Sequence, residues 1–315
     1  MKETLLKIAG EKRAFTMEPL SRHSTFRIGG PADYFVMPET ETELVQILAA
    51  CKASGTPVLI IGNGSNLLFD DKGFRGCIIQ LANHFTGIEP DENDPCAFYA
   101  KAGTSLAKAA AYACERQLTG LEFASGIPGS VGGGVLMNAG AYGGELSQCV
   151  TTSRYLDLDA LAAGEANYIK TYTGEAQKFG YRHSVYQEKD SIILGAFFTL
   201  QPEPCREQIA ARMKELNLRR KEKQPLEYPS AGSTFKRPQG DFAGRLIEAS
   251  GLKGFRIGDA MVSEKHAGFV INAGNATCAQ VLELIEAVQR RVQADSGILL
   301  EPEIKMIKED DGWNL

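Results

Sequence analysis

The sequence has little of what a metal centre or a disulfide framework requires. Its four histidines have no cysteine or acidic partner at ligand spacing, and its seven cysteines include no Cys-x-x-Cys pair. An odd number of widely spaced cysteines is typical of reduced thiols rather than of disulfides or a zinc site. We therefore expect no metal ligands and a cytoplasmic protein. The cysteines are Cys51, Cys77, Cys96, Cys114, Cys149, Cys205 and Cys278.

Positive charge and long apolar runs are also scarce. The net charge is -5 over 315 residues, so there is no large positive field to drive binding to nucleic acid. No stretch of about 18 apolar residues without charge occurs, as a transmembrane helix would need. The first twenty residues mix charges of both signs and lack the apolar core of a signal peptide. We expect no nucleic-acid partner, no membrane partner and a monomer.

The first half of the chain alternates between helical and strand patterns. Residues 41–54 place four apolar side chains on one helical face and are followed by the apolar run 57–61, which ends in a glycine turn. Residues 77–81 and 98–103 also read as strands, and Thr104 is expected to open a helix over 104–117. The chain is longer than a single core of about 100–200 residues, so several α+β units are expected. The four apolar residues are Leu44, Ile47, Leu48 and Cys51.

The composition changes near residue 204. Residues 205–224 form a long charged amphipathic pattern, and Asp241 and Gly251 are suited to begin and end a further helix. A strand is expected at 268–272, then a helix from Thr277 to about residue 293 and a final strand at 302–307. This order predicts one α+β domain of about a hundred residues.

Residues 120–144 contain nine glycines in twenty-five positions. This density is expected to exclude a regular helix or strand, because glycine disfavours both. Two interpretations remain open. The segment forms tight turns inside a core, or its backbone lies close to a large planar cofactor, with Asn138 and Tyr142 beside it.

A second glycine motif, Gly62 to Asn66, follows the apolar run. It is not a dinucleotide fingerprint, because the third glycine would fall at Leu67 and no helix pattern follows. It is not a P-loop either, because no Gly-Lys-Ser or Gly-Lys-Thr follows. The motif is either a plain turn or a row of amide groups that binds a pyrophosphate.

Ser233 and Lys236 have the Ser-x-x-Lys spacing of serine β-lactamases. That chemistry is excluded, because Arg237-Pro238 would end the required helix and the partner motifs Lys-Thr-Gly and Ser-x-Asn are missing. Ser233 is then a turn residue among cations, and it is either an ordinary turn serine or a proton donor. Arg182 and Glu303 are each, taken alone, ordinary surface residues.

Six segments in this order resemble the UDP-N-acetylenolpyruvoylglucosamine reductase family over nearly the whole chain. They are HSTFRIGGPADYF (23–35), PVLIIGNGSNLL (57–68), GLEFASGIPGSVGGGVLMNAGAYGGE (120–145), GYRHSVY (180–186), PSAGSTFKRP (229–238) and LEPEIKMI (300–307). No extra loop follows GYRHSVY, so the chain is similar to the shorter form of the family, which lacks a loop with a substrate-binding tyrosine.

The resemblance implies an α+β fold with an FAD-binding unit of the vanillyl-alcohol-oxidase type, made of two subdomains, and a C-terminal α+β substrate-binding domain. The expected boundaries are 1–75, 76–203 and 204–309. The residues expected to bind FAD are Ile61, Gly62, Asn63, Gly64, Ser65, Asn66, Gly126, Ile127, Gly129, Ser130, Gly132 and Gly133.

The resemblance also implies the chemistry. NADPH would reduce bound FAD, and the flavin would reduce an enolpyruvyl nucleotide sugar used in peptidoglycan synthesis. Arg182 and Glu303 would stabilise charge on the substrate carboxylate, and Ser233 would donate a proton. The residues expected to bind the substrate are Tyr181, Lys223 and Arg237. Arg237 stands where the longer form has asparagine, and an arginine is suited to bind an anion.

Two other functions remain open. A flavoprotein that oxidises an alcohol would share the glycine-rich segments but would have no need of Ser233 and Glu303. A non-catalytic nucleotide-sugar binder would be colourless when purified, whereas a flavoenzyme would be yellow.

Overall fold

The computed structural model describes residues 1–313, and no helix among them is long and apolar enough to cross a membrane. The helices are Lys2–Ala9 (α1), Glu41–Ala53 (α2), Leu106–Glu115 (α3), Val131–Met137 (α4), Leu158–Ala162 (α5), Arg206–Lys223 (α6), Ala243–Ala249 (α7) and Cys278–Ser296 (α8). The strands are Ala14–Pro19 (β1), Pro31–Val36 (β2), Val58–Ile61 (β3), Leu67–Phe69 (β4), Phe74–Gln80 (β5), Ile88–Pro90 (β6), Ala97–Lys101 (β7), Leu118–Thr119 (β8), Gly140–Ala141 (β9), Gly144–Glu145 (β10), Val150–Asp157 (β11), Ile169–Thr173 (β12), Ser191–Thr199 (β13), Gln201–Pro202 (β14), Arg256–Ile257 (β15), Ala260–Val262 (β16), Val270–Asn272 (β17) and Lys305–Ile307 (β18).

The first unit is a four-stranded sheet in the order β1-β2-β5-β3. Strands β2 and β3 pair with β5 in parallel, and β1 pairs with β2 antiparallel. The side chain of Thr40 accepts a hydrogen bond from the amide of Glu43 and begins α2, whose four predicted apolar residues are all buried. The helix prediction is confirmed, and its packing fixes β3, whose carboxyl end leads into the glycine motif at residue 62.

The second unit is a five-stranded antiparallel sheet in the order β12-β11-β13-β7-β6. Helices α3 and α4 contact this sheet or each other. The prediction that Thr104 opens α3 is wrong. Ser105 caps the helix by accepting from the amide of Lys108, while Thr104 is buried and its hydroxyl donates to the carbonyl of Gly87.

The glycine-dense segment contains a regular helix, which the sequence prediction excluded. Helix α4 includes Gly132, Gly133 and Gly134, and the hydroxyl of Ser130 caps its first turn. A Cβ atom at residue 132 would lie 2.9 Å from the Cβ of Ala102, and one at residue 134 would lie 2.8 Å from a methyl carbon of Leu146. Close packing therefore selects glycine at these two positions, although glycine weakens a helix by about 1 kcal/mol relative to alanine.

In the C-terminal domain α8 packs on the sheet β15-β16-β17, and α7 packs on α8. Thr277 begins α8 with a capping box that includes Gln280, as predicted. Asp241 does not cap α7, because Phe242 occupies the cap position; the Asp241 carboxylate pairs with Arg245 instead. Gly251 follows the end of α7 with a φ of 70°.

The C-terminal domain is joined to the first unit through shared core and shared strands. Phe26, Ile28 and Leu68 are buried in the same apolar cluster as α7 and α8. The final strand is shorter than the predicted 302–307, and β18 pairs in parallel with β4. Residues 305–313 therefore return to the first unit, where Trp313 pairs with Val58.

Candidate functional site

Two glycine-rich segments meet at the centre of the molecule: the glycine loop, residues 62–66, and the glycine run, residues 126–133. The carboxamide of Asn63 donates to the carbonyl of Pro128 at 2.7 Å, and the first glycine of the loop lies against the side chain of Ser130. The segments come from different units, so their contact creates one surface at the junction.

The glycine loop presents a row of amide groups. Among the described residues, the amides of residues 63–66 donate no hydrogen bond to another residue. Gly64 has a φ of 61°, and a Cβ atom there would overlap the carbonyl of His23. The turn therefore requires glycine, and it leaves successive N–H groups for an external acceptor.

The members of the predicted FAD set differ in what surrounds them. Ile61 belongs to the buried core of the first sheet, and Gly132 packs on Ala102. Packing within the protein is sufficient to explain the residue types at these two positions. Gly129 has only ordinary contacts, and Ile127 is partly buried. Gly133 lies next to Ser130, one turn into α4.

Arg182 lies in a tight turn between Gly180 and His183, whose amides donate to each other's carbonyls at 3.1 and 3.2 Å. Its φ is 56°, a conformation that residues other than glycine rarely adopt. The buried carboxamide of Asn138 donates to the carbonyl of Gly180 at 3.1 Å and fixes the turn. Asn138 thus supports the turn from within the core.

The guanidinium of Arg182 reaches Glu303, 121 residues further along the chain. Its Nε donates to Oε1 of the carboxylate, whose side chain is only 11% exposed. Burial raises the pKa of Glu303, while the positive charges of Arg182 and Lys236 act in the opposite direction. The structure therefore joins the two predicted residues in a contact that is largely closed to solvent.

The residues that follow Ser233 pair with the backbone around Glu303. The amide of Glu303 donates to the carbonyl of Thr234 at 2.8 Å, and the amide of Lys236 donates to the carbonyl of Glu301 at 2.8 Å. Thr234 is buried, and its hydroxyl accepts from the amide of Val270 at 2.8 Å. Ser233 thus precedes by one residue the carbonyl that accepts from the amide of Glu303.

The glycine loop contacts the residues around Glu303 directly. The carboxamide of Asn66 donates to the carbonyl of Glu303 at 3.2 Å, and the carbonyl of Asn66 accepts from the amide of Lys305 at 2.9 Å. Asn66 therefore links the row of amides to the Arg182–Glu303 pair.

A cleft of about 520 Å³ opens outside the pair. Tyr181 and Arg237 line it, and the hydroxyl of Tyr181 accepts from the amide of Arg237 at 3.1 Å. The guanidinium carbon of Arg237 lies 4.1 Å from the ring centroid of Phe242. Lys223 is not brought to this cleft by any contact among the described residues; it is the exposed last residue of α6.

Sequence reasoning missed Arg220, which lies against Gly126 of the glycine run. Its Nη1 is buried and has no hydrogen-bond partner among the described residues, and burial lowers the pKa of its guanidinium. Helix α6 buries Ile209 and Leu216, and Met213 packs beside them. Arg220 continues this stripe at the next i+4 position, which is the signal that could have identified it.

No group of three or more His, Cys, Asp or Glu within residues 1–313 is arranged to hold a metal ion. The groups of the site that could bind an anion are the row of amides and the guanidinium groups of Arg182, Arg220 and Arg237.

Comparison with known proteins gives the site a context. Residues 224–307 match the family model of the UDP-N-acetylenolpyruvoylglucosamine reductase C-terminal domain, and residues 32–160 match that of an FAD binding domain. A UDP-N-acetylenolpyruvoylglucosamine reductase of Agathobacter rectalis is 51% identical over 301 residues, which is 93% of each chain. One of Caldanaerobacter subterraneus is 47% identical over 307 residues, which is 98% of each chain.

A solved structure agrees with these sequences. The crystal structure of UDP-N-acetylenolpyruvylglucosamine reductase from Thermus caldophilus aligns with a TM-score of 0.74 and 36% identity, covering 93% of this chain and 97% of that chain. The predicted fold class, an α+β FAD-binding unit with a C-terminal α+β domain, is confirmed. The exact domain boundaries and the role of each site residue stay predictions.

Proposed function

This chain belongs to the UDP-N-acetylenolpyruvoylglucosamine reductase family, and we propose that it uses NADPH and FAD to reduce UDP-N-acetylglucosamine enolpyruvate to UDP-N-acetylmuramate in the cytoplasm, for peptidoglycan synthesis. The observation that supports this most is the contact of Arg182 with Glu303 beside the Ser233 turn, at the edge of the glycine loop. An enzyme that oxidises an alcohol has no need of this arrangement.

The residues at the junction fit FAD. The row of amides at 63–66 offers donors to a diphosphate, and two buried polar atoms there lack partners, Oγ of Ser24 and Nη1 of Arg220. Ser24 adjoins Gly64, and Arg220 adjoins Gly126. Buried polar groups without partners are uncommon in native proteins, so an external group is expected to satisfy these two. FAD held by these residues and reduced by NADPH would supply the hydride for reduction of the substrate double bond.

Arg182 and Glu303 act on the substrate carboxylate. When the methylene carbon receives a hydride, negative charge develops on the carboxylate oxygens as an enediolate. The guanidinium of Arg182 stabilises that charge. This electrostatic stabilisation is larger where water is excluded. Glu303 holds the guanidinium through Nε, which leaves the Nη groups of Arg182 for the substrate.

Ser233 donates the proton that completes the reduction. The carbon next to the carboxylate takes this proton, and the serine hydroxyl is then left as a transient alkoxide. Lys236 and Arg237 follow in the same turn, so their positive charges lower the cost of that alkoxide. The buried Thr234 keeps the turn in place during the transfer.

The cleft outside the pair receives the nucleotide sugar. Tyr181, Lys236 and Arg237 line it, and the two cations suit diphosphate oxygens. The exposed Lys223 is expected to bind the same group once the substrate is present.

A stopped-flow record of flavin absorbance tests the proposal. We expect NADPH to bleach the yellow protein without oxygen, and UDP-N-acetylglucosamine enolpyruvate to restore the absorbance of oxidised flavin. A colourless protein would indicate a binder. Rapid reoxidation by oxygen with no response to the enolpyruvyl substrate would indicate an alcohol-oxidising flavoprotein instead.

Arg220→Met is expected to weaken FAD retention about 10- to 100-fold, because a hydrogen bond to a charged group contributes about 1.5–3 kcal/mol. The melting temperature of the FAD-free protein should not fall, because the variant removes a buried charge that has no carboxylate partner. Flavin fluorescence during dialysis measures retention. Arg212→Met, on the exposed side of α6, is the control. If both variants retain FAD equally well, Arg220 does not bind FAD.

A further inference from the structure

Gln187 is an exposed side chain that none of the six motifs includes. Its Nε2 donates to the carbonyl of Leu136 at 2.9 Å and to the carbonyl of Arg182 at 2.9 Å. Its Oε1 accepts from the Nζ of Lys305 at 3.4 Å. The carboxamide therefore uses both N–H groups and its oxygen, each on a different element.

These three elements carry the site. Leu136 lies in the last turn of α4, whose first turn is capped within the glycine run. Arg182 is the predicted catalytic arginine, and Lys305 follows Glu303 by two residues. A surface glutamine that only contributes to solubility is not expected to contact all three of these elements. The partners also fix the orientation of the carboxamide, because only its nitrogen can donate to two carbonyls.

We propose that Gln187 is a positioning residue that holds Arg182 in contact with Glu303. Arg182 occupies a left-handed conformation that its own side chain disfavours. The bond from Gln187 fixes its carbonyl, and so the direction in which the guanidinium leaves the backbone. The ammonium of Lys305, which follows Glu303 by two residues, donates to the oxygen of the same carboxamide. One side chain therefore contacts the turn of Arg182 and a residue close to Glu303 in the chain.

This inference rests on the proposed function, since Arg182 is taken to act on the substrate carboxylate. Gln187→Leu keeps the size of the side chain and removes all its hydrogen bonds, including a weak one to the sulfur of Met137 at 3.8 Å. We expect flavin reduction by NADPH to remain within about twofold of the parent and reoxidation by the enolpyruvyl substrate to slow about 10- to 100-fold, the effect of a displacement of about 1 Å at a reacting group. Gln187→Asn, which keeps the carboxamide one methylene short, should show a smaller loss of the same kind.

A double-mutant cycle with Arg182→Lys distinguishes positioning from general stability. If Gln187 acts through Arg182, then Gln187→Leu should cost less than about twofold in the Arg182→Lys background. The matched control is Gln289→Leu, which removes a bond from a glutamine to the carbonyl of Leu300 in the C-terminal domain. The control should lower the melting temperature and leave both half-reactions unchanged.

The outcomes separate the two proposals. If the parent protein is not reoxidised by the enolpyruvyl substrate, the proposed function fails. If the parent is reoxidised and Gln187→Leu matches it, the positioning role is wrong. Equal slowing of both half-reactions, or full additivity with Arg182→Lys, would also overturn it, because either result means that Gln187 does not act through Arg182.

Discussion

Ser233→Ala is expected to leave flavin reduction by NADPH intact and to slow reoxidation by UDP-N-acetylglucosamine enolpyruvate by about 100- to 10,000-fold, the range that general acid catalysis contributes. The hydroxyl is needed only after the hydride has reached the substrate, so the first half-reaction does not depend on it. Stopped-flow absorbance of the flavin measures the two steps separately. The affinity for the substrate should change little, because the proton is transferred after binding.

The control is Ser230→Ala in the same turn, where the contacts with Thr25 involve only the backbone of Ser230. This variant should keep both half-reactions. Ser233→Cys retains a side chain that can give a proton and should recover part of the rate. A comparable loss in both half-reactions of Ser233→Ala would show that this hydroxyl binds the cofactor or supports the fold.

The parts of the fold that depend on local pattern were predictable from the sequence. Helix α2 was predicted from the spacing of its apolar residues, and α8 from Thr277 as its first residue. In both helices the cap, the periodicity and the packed face agree. When the capping residue, the apolar spacing and the packed face all favour the same element, a short segment of sequence specifies its own structure.

The helix within the glycine-dense segment was not predictable in this way. Glycine density indicates weak helix propensity, which is a property of the isolated segment. In helix α4 the glycines are explained by packing, because Ala102 and Leu146 approach the backbone so closely that a Cβ atom at positions 132 and 134 would clash. Those neighbours lie in other elements, so the sequence of the segment contains no sign of them.

The candidate site was predictable as a set of segments but not as a set of contacts. The resemblance pointed to Arg182, Ser233 and Glu303, but it did not reveal how Glu303 reaches the glycine loop. That link depends on the parallel pairing of β18 with β4 and on the bond from Asn66. Gln187 was missed for the same reason, because two of its partners, Leu136 and Lys305, lie 51 and 118 residues away in the chain.

Glu303→Gln is expected to slow reoxidation of the flavin by the enolpyruvyl substrate by about 100-fold or more, the loss typical of an electrostatic group at a reacting centre. Glutamine has nearly the same shape but no charge, so Arg182 loses the anion that orients its guanidinium. Flavin reduction by NADPH should continue at the parent rate. Glu248→Gln, which neutralises an exposed carboxylate paired with Lys253 in the C-terminal domain, is the control. If Glu303→Gln keeps full activity in both half-reactions, the carboxylate has no part in the reaction.

The same variant has a distinct effect on stability. Burial raises the pKa of Glu303 above its ordinary value, so between these two pKa values the folded protein binds more protons than the unfolded chain. The free energy of unfolding of the parent therefore falls as the pH rises through that window. Glutamine cannot titrate, so the melting temperature of Glu303→Gln should rise relative to the parent over the same window. If the melting temperature of Glu303→Gln falls relative to the parent, pairing with Arg182 lowers the pKa of Glu303 more than burial raises it. A variant that gains stability as it loses activity is expected where a carboxylate is buried for catalysis at a cost to the fold.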